Sequence, residues 1–181
     1  MLYEIKHRYT GAVLFSHECD SWRICAEAAI NSGANLSGAN LSWADLSGAD
    51  LSGVYLSGAN LSEIKNAELS LAQTSIVPQE GAFVGWKKLR NGVIAKLVIP
   101  HDAERVNAAG SRKCRASKVF VHEMYGHGGA IFVGVGIGQH DSGTKYITGQ
   151  ETHPDRFDPS ITEECSHGIH FFITREEAAA Y

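Results

Sequence analysis

Ala34-Asn35-Leu36-Ser37-Gly38, Ala39-Asn40-Leu41-Ser42-Trp43, Ala44-Asp45-Leu46-Ser47-Gly48, Ala49-Asp50-Leu51-Ser52-Gly53, Val54-Tyr55-Leu56-Ser57-Gly58 and Ala59-Asn60-Leu61-Ser62-Glu63 follow one another without a gap. Leucine returns at Leu36, Leu41, Leu46, Leu51, Leu56 and Leu61, with a strict period of five. A helix repeats about every 3.6 residues and a strand every two, so neither holds all of these leucines on one side. A chain that turns a corner every five residues does.

These units resemble the pentapeptide-repeat family, whose consensus is Ala, then Asn or Asp, then Leu, then two small or polar residues. In that family four pentapeptides make one square coil. The resemblance therefore implies a short right-handed quadrilateral β-solenoid over residues 33–76. Leu36 through Leu61 would point inward, with Ala34, Ala39, Ala44, Ala49, Val54 and Ala59 as a second inward set. After Leu61 the register breaks at Ile64-Lys65-Asn66 and recovers only loosely at Ala67-Glu68-Leu69 and Ala72-Gln73-Thr74. About two coils result, and a stack that short needs covering at its ends.

Residues 1–32 supply one cover. Tyr3 to Arg8 and Ala12 to His17 flank Tyr9-Thr10-Gly11 and read as a β-hairpin. Residues 21–32 read as a capping helix, with Trp22, Cys25, Ala26 and Ala29 on one face and Gly33 placed to end it.

Residues 77–181 read as an α+β domain with a mainly antiparallel sheet. Phe83 to Leu89 and Val93 to Ile99 flank Arg90-Asn91-Gly92, and Asn-Gly is a strong hairpin signal. Pro100 ends the second strand, and His101 to Arg105 suggests a helical turn. Arg115 to Val121 and Ala130 to Ile137 are further strand candidates. Ile169 to Ile173 leads into Thr174-Arg175-Glu176-Glu177, where Thr174 and Glu177 form the pattern of a capping box. This half resembles a domain of unknown function that often follows pentapeptide repeats in phage and large-virus proteins. The matching stretches are Gly85-Trp86-Lys87-Lys88, Ile99-Pro100, Lys113-Cys114-Arg115-Ala116 and Cys165-Ser166-His167-Gly168-Ile169-His170-Phe171-Phe172. That resemblance implies a viral or mobile-element setting and carries no settled activity.

The net charge of −4 averages unlike segments. Residues 77–120 hold nine Lys or Arg against three acids, whereas residues 121–181 hold three against nine. Either these halves pair when folded, or the basic one presents a binding face. Arg105, Arg112, Lys113 and Arg115 fall within eleven residues, around Ala108-Ala109-Gly110, which reads as a loop. Arginine grips phosphate and carboxylate bidentately, so these residues, with His170, form the candidate ligand site for an anionic, nucleotide-like molecule.

Other chemistries have weaker patterns. Cys114, Cys165 and His170 would suit a cysteine-dependent enzyme, because a cation lowers a thiol's pKa, but no nucleophile signature surrounds them. Cys165, His167 and His170, with Cys114 or His127, are zinc-type ligands without a repeated spacing, and no metal or other cofactor is expected. Gly134-Val135-Gly136-Ile137-Gly138 lacks the helix and Lys-Ser or Lys-Thr pair of a phosphate loop and reads as a glycine-broken strand. Cys19, Cys25, Cys114 and Cys165 never form a Cys-x-x-Cys pair and are expected to be free thiols.

Pentapeptide-repeat proteins that mimic DNA must match its charge. Two coils rise roughly 10 Å, over which B-DNA carries about six negative charges. Asp45, Asp50, Glu63 and Glu68 less Lys65 do not supply that many. The expectation is thus a non-enzymatic binding protein of phage type, cytoplasmic within the host, that sequesters a nucleotide-like defence signal. An adaptor or inhibitor that binds a host protein is the alternative. Homo-oligomerisation through the solenoid is open, direct nucleic-acid binding is not expected, and no apolar run approaches the roughly 20 residues of a membrane span.

Overall fold

The computed structural model describes residues 1–42, 44–46, 49–51, 54–56, 58–61, 72–161 and 163–181. The expected register break at Ile64-Lys65-Asn66 and the recovery at Ala67-Glu68-Leu69 lie outside them. The chain forms two units. One comprises residues 1–76 together with 108–111 and 160–164; the other comprises 77–107, 112–159 and 165–181. A linear division at residue 77 misses the two short returns to the first unit.

In the first unit, β1 (Leu2–His7) pairs antiparallel with β2 (Val13–Glu18). Helix α1 (Trp22–Asn31) starts at Ser21, whose hydroxyl accepts from the Ile24 N–H at 3.3 Å, and stops before Gly33, where φ is +70°. Its buried Cys25, Ala26 and Ala29 join one apolar core with Ile5 and the repeat leucines. Leu36, Leu41, Leu46, Leu51, Leu56 and Leu61 are all buried, as are Ala39, Ala44, Ala49, Val54 and Ala59, while Ala34 is partly buried.

The local cause is a turn that recurs along the described units. The N–H of Ala39 donates to the carbonyl of Leu36, and Ala44, Ala49, Val54 and Ala59 repeat this bond to the leucine three residues earlier, at 2.9–3.3 Å. Asn40 and Asn60, twenty residues apart, form a parallel bridge, with Leu41 N–H donating to Asn60 O at 2.9 Å and Asn60 N–H to Ala39 O at 2.8 Å. The short strand β3 (Ala39–Asn40) also pairs antiparallel with β1. The return at 108–111 completes this core with Ala109, which is 1 % exposed. The stretch read as a loop is therefore a buried turn. Gly110, at φ +73°, lies so close that a Cβ there would meet Leu56 N at 2.4 Å and Val54 O at 2.5 Å.

The second unit is built on a four-stranded antiparallel sheet, β11-β8-β5-β4, formed by β4 (Phe83–Lys88), β5 (Ile94–Ile99), β8 (Val119–Tyr125) and β11 (Glu151–Thr152). Asn91 and Gly92 take φ of +58° and +71° between β4 and β5, the left-handed pair that an Asn-Gly hairpin uses. A second sheet, β12-β7-β6, joins β6 (Arg105–Asn107), β7 (Cys114–Ala116) and β12 (Ile169–Phe171). β9 (Val135–Ile137) and β10 (Lys145–Ile147) make a two-stranded ribbon. Helix α2 (Arg175–Ala180) opens with the capping box of Thr174 and Glu177.

Two strand expectations and one helical turn change. The candidate from Arg115 to Val121 divides into β7 and β8, because the chain leaves one sheet for the other at Ser117-Lys118. Only Val135–Ile137 of the stretch from Ala130 is a strand; Ile131 and Val133 before it are 63 % and 92 % exposed. The expected helical turn at His101 is a reverse turn, closed by Ala103 N–H to Pro100 O at 3.1 Å, that runs into β6.

The two sheets meet where Trp86 and Phe172 exchange a pair of backbone hydrogen bonds of 2.7 Å. Gly85 permits the approach, since a Cβ there would stand 2.6 Å from the Phe171 ring and 2.8 Å from Ile99 Cδ1. This junction sets Lys87 beside β12.

Candidate functional site: a lysine-lined cleft

A cleft of about 80 Å³ opens in the second unit. Lys87 and Lys88 reach it from β4, Lys113 from the residue before β7, Asp141 and Thr144 from the β9–β10 loop, and Tyr146 from β10. His170 from β12, Phe172, His140 and the terminal Tyr181 complete the wall.

Lys87 is strongly perturbed. Its Nζ donates to the His170 carbonyl at 2.9 Å and lies 5.8 Å from the centre of the Tyr146 ring. Burial of the ammonium, reinforced by the nearby Lys113 charge and offset in part by Asp141, lowers its pKa to about 8. Lys113 is 6 % exposed, and its Nζ donates to the Tyr181 hydroxyl at 2.8 Å and to Cys165 Sγ at 3.4 Å. Burial pulls Lys113 down, but the Tyr181 and Cys165 contacts outweigh it and leave the pKa raised. Asp141 is held below the ordinary carboxylate range by hydrogen bonds from the Thr144 hydroxyl and the Gly143 N–H, with Lys87 adding to the effect. Burial pushes the Tyr146 phenol up.

The balance of charge is cationic, with Lys87, Lys88 and Lys113 against Asp141. A water occupies about 30 Å³ of liquid, so the cleft has room for a carboxylate or a single phosphoryl group. Pockets that enclose a whole drug-sized molecule run to roughly 300 Å³ or more.

Of the residues singled out in sequence, Lys113 and His170 line this cleft, and Arg105, Arg112 and Arg115 do not. Arg105 donates to the carbonyls of Pro100 at 2.9 Å and Gln79 at 2.8 Å, and packs over the Phe83 ring. Arg112 pairs with Glu177 of α2 at 2.6 Å, joining the basic stretch to the acidic one. Arg115 is fully buried in β7, directly opposite His170 in register, and its Nε donates to the Asp158 carbonyl at 3.3 Å. The basic cluster is contiguous in sequence and dispersed in space.

Cys114 is buried between β6 and β12, and burial pushes its pKa up to about 12, against the activation a nucleophile needs. Cys165 is exposed. His167 bonds Asp155 through Nδ1 at 2.9 Å and Arg156 through Nε2 at 2.5 Å. Among the described residues, no three His, Cys, Asp or Glu side chains converge on a metal position. Likewise among them, no helix is long and apolar enough to cross a membrane.

Lys87, Asp141, Tyr146 and Tyr181 escaped the sequence reading. One signal was present: Lys87 continues the alternation of β4 two residues after the buried Gly85, which places a lysine on an inward position.

No curated protein and no solved structure matches this chain. Residues 32–64 match a family described as pentapeptide repeats (8 copies). Residues 73–178, more than half the chain and including every cleft residue except Tyr181, match a family of unknown function, DUF5758. The chain belongs to that family and carries pentapeptide repeats ahead of its family domain.

Proposed function

We propose that this protein binds the anionic end of a small molecule in the lysine-lined cleft, with the repeat serving as a rigid stem. The observation that carries this reading is that Lys87 and Lys113 bring two amines to one small cavity, where Asp141 is the one acid among the described lining residues. Two cations held together out of water repel each other, and an anion between them relieves that repulsion. A nucleotide-like ligand would insert a terminal phosphate and leave its base and sugar outside. In this reading the repeat is a short right-handed quadrilateral solenoid. Its support is the twenty-residue bridge from Asn40 to Asn60, the spacing of four pentapeptides. Sequestration of a signalling nucleotide in a virus-infected cell is one setting that needs no turnover.

Calorimetric titration with inorganic phosphate, acetate and nucleoside phosphates tests the reading. Binding to the native protein that is lost in Lys113→Gln and kept in Arg112→Gln is the expected result. Equal binding by both variants would remove the cleft as the site.

A second reading, a protein-binding adaptor, draws on Ile131 and Val133, apolar side chains that are 63 % and 92 % exposed. Val133→Ser would weaken a protein partner's binding and leave phosphate binding unchanged.

A further inference from the structure

A lysine acts as a nucleophile only as the free amine, and proteins reach that state by removing the ammonium from water or by setting another cation beside it. Lys87 has both. Its stem lies in β4 and its amine is enclosed at the cleft wall, where the His170 carbonyl fixes one N–H at 2.9 Å. Lys113 opens onto the same small space. Such a pair divides labour: the more enclosed amine sheds its proton, and the neighbour stays charged to hold an anion.

We infer that Lys87 captures a carbonyl compound covalently, forming an imine with a short aldehyde or ketone whose carboxylate or phosphate is held by Lys113. The inference rests on the anion-binding reading of the cleft and specifies the ligand class. A cavity of about 80 Å³ suits a molecule of two or three carbons with one anionic group.

The chemistry balances without an oxidant or reductant. The Lys87 nitrogen lone pair attacks the carbonyl carbon, a C–N bond forms, and the C=O π pair takes a proton to give a carbinolamine. Nitrogen gives up one proton to reach the neutral carbinolamine and its second as the hydroxyl leaves with a proton as water, and a C=N bond remains. One amine and one carbonyl yield one imine and one water. Tyr181 and His140 line the cleft as proton donors, and the Tyr181 hydroxyl already accepts from Lys113, leaving its own hydrogen to give.

The groups facing Lys87 set its pH response. Lys113 and burial favour the free amine, Asp141 opposes them, and Lys88, His140, His170, Tyr146 and Tyr181 share the wall. With a pKa of about 8, Lys87 holds roughly two hundredfold more free amine at pH 7.5 than an ordinary lysine does. Lower basicity reduces the nucleophilicity of each free amine, so a net rate advantage of at least about tenfold is expected.

The test incubates the full chain with limiting glyoxylate and cyanoborohydride, which reduces an imine to a stable carboxymethyl-lysine, and maps the modified lysines by mass spectrometry. Lys87 should be modified at least about tenfold faster than the exposed Lys145, with a rate that rises as pH passes through about 8. Phosphate should slow it, and Lys113→Gln should raise the glyoxylate concentration required. Lys87→Arg should abolish capture, whereas Arg112→Gln, outside the cleft, should leave capture and phosphate binding intact. Modification spread evenly over the surface lysines, with phosphate binding intact, overturns the covalent step and leaves the anion site standing. Absence of both capture and phosphate binding overturns both.

Discussion

Replacing Lys87 by methionine should make the protein more stable at neutral pH, which is unusual for a substitution beside a candidate site. The pKa of Lys87 falls from 10.5 to about 8 on folding, and each unit corresponds to about 1.4 kcal/mol, so holding the charge in place costs roughly 3 kcal/mol at pH 7. Methionine keeps the stem's apolar contacts and removes that charge. The His170 carbonyl loses a donor, which takes back about 1 kcal/mol. Lys87→Met should therefore be more stable by roughly 2 kcal/mol at pH 7. The sign reverses with pH. Because the folded pKa lies below the unfolded one, the unfolded wild-type chain binds more protons between about pH 8 and 10.5, and wild-type stability rises across that window. The variant lacks this rise, so by about pH 10 its advantage should vanish. Urea denaturation of both proteins at pH 7 and pH 10, followed by tryptophan fluorescence, measures the two gaps. A gap that is unchanged between the two pH values would refute a buried, depressed Lys87.

Four further outcomes follow from the packing. Leu46→Lys should unfold the first unit, since Leu46 is wholly buried and an unpaired ammonium there costs several kcal/mol; a retained circular dichroism melting midpoint would contradict it. Arg115→Ala should destabilise by about 3 kcal/mol, whereas Arg112→Gln, whose ion pair is half exposed, should cost under about 1 kcal/mol; chemical denaturation separates them. Iodoacetamide should label Cys165 in the native protein and reach Cys114 only on unfolding, and Cys114→Ser should retain phosphate binding; rapid native labelling of Cys114 would oppose its burial. Gly110→Ala should lower stability by more than about 1 kcal/mol, because both its positive φ and the backbone of Val54 and Leu56 resist a Cβ.

The repeat was legible because its signal is local: a leucine and a small residue recur every five positions, and from Leu36 to Leu56 each leucine carbonyl closes a turn with the N–H three residues on. Helix α1 and the capping box of α2 were legible for the same reason. The cleft was not, because it depends on register between distant strands. Lys87 and Lys113 are 26 positions apart in sequence, and β12 brings its His170 carbonyl to Lys87 beside the Trp86–Phe172 junction. The arginine cluster misled in the opposite way. Arg105, Arg112 and Arg115 are close along the chain, but the chain dips into the first unit at 108–111, and each guanidinium finds a separate partner.

The return of residues 108–111 and 160–164 to the first unit bears on the order in which the protein can be made. A ribosome releases the hairpin, helix and pentapeptides first, yet Ala109 of their core emerges only after the whole first sheet hairpin has been translated. Ile161, whose carbonyl accepts the Ala109 N–H at 2.8 Å, comes some fifty residues later still. Until then the core of the first unit lacks Ala109 and must wait in an unfinished state. A fragment cut at residue 76 would remain in that state permanently, so the family domain also completes the fold of the segment translated before it.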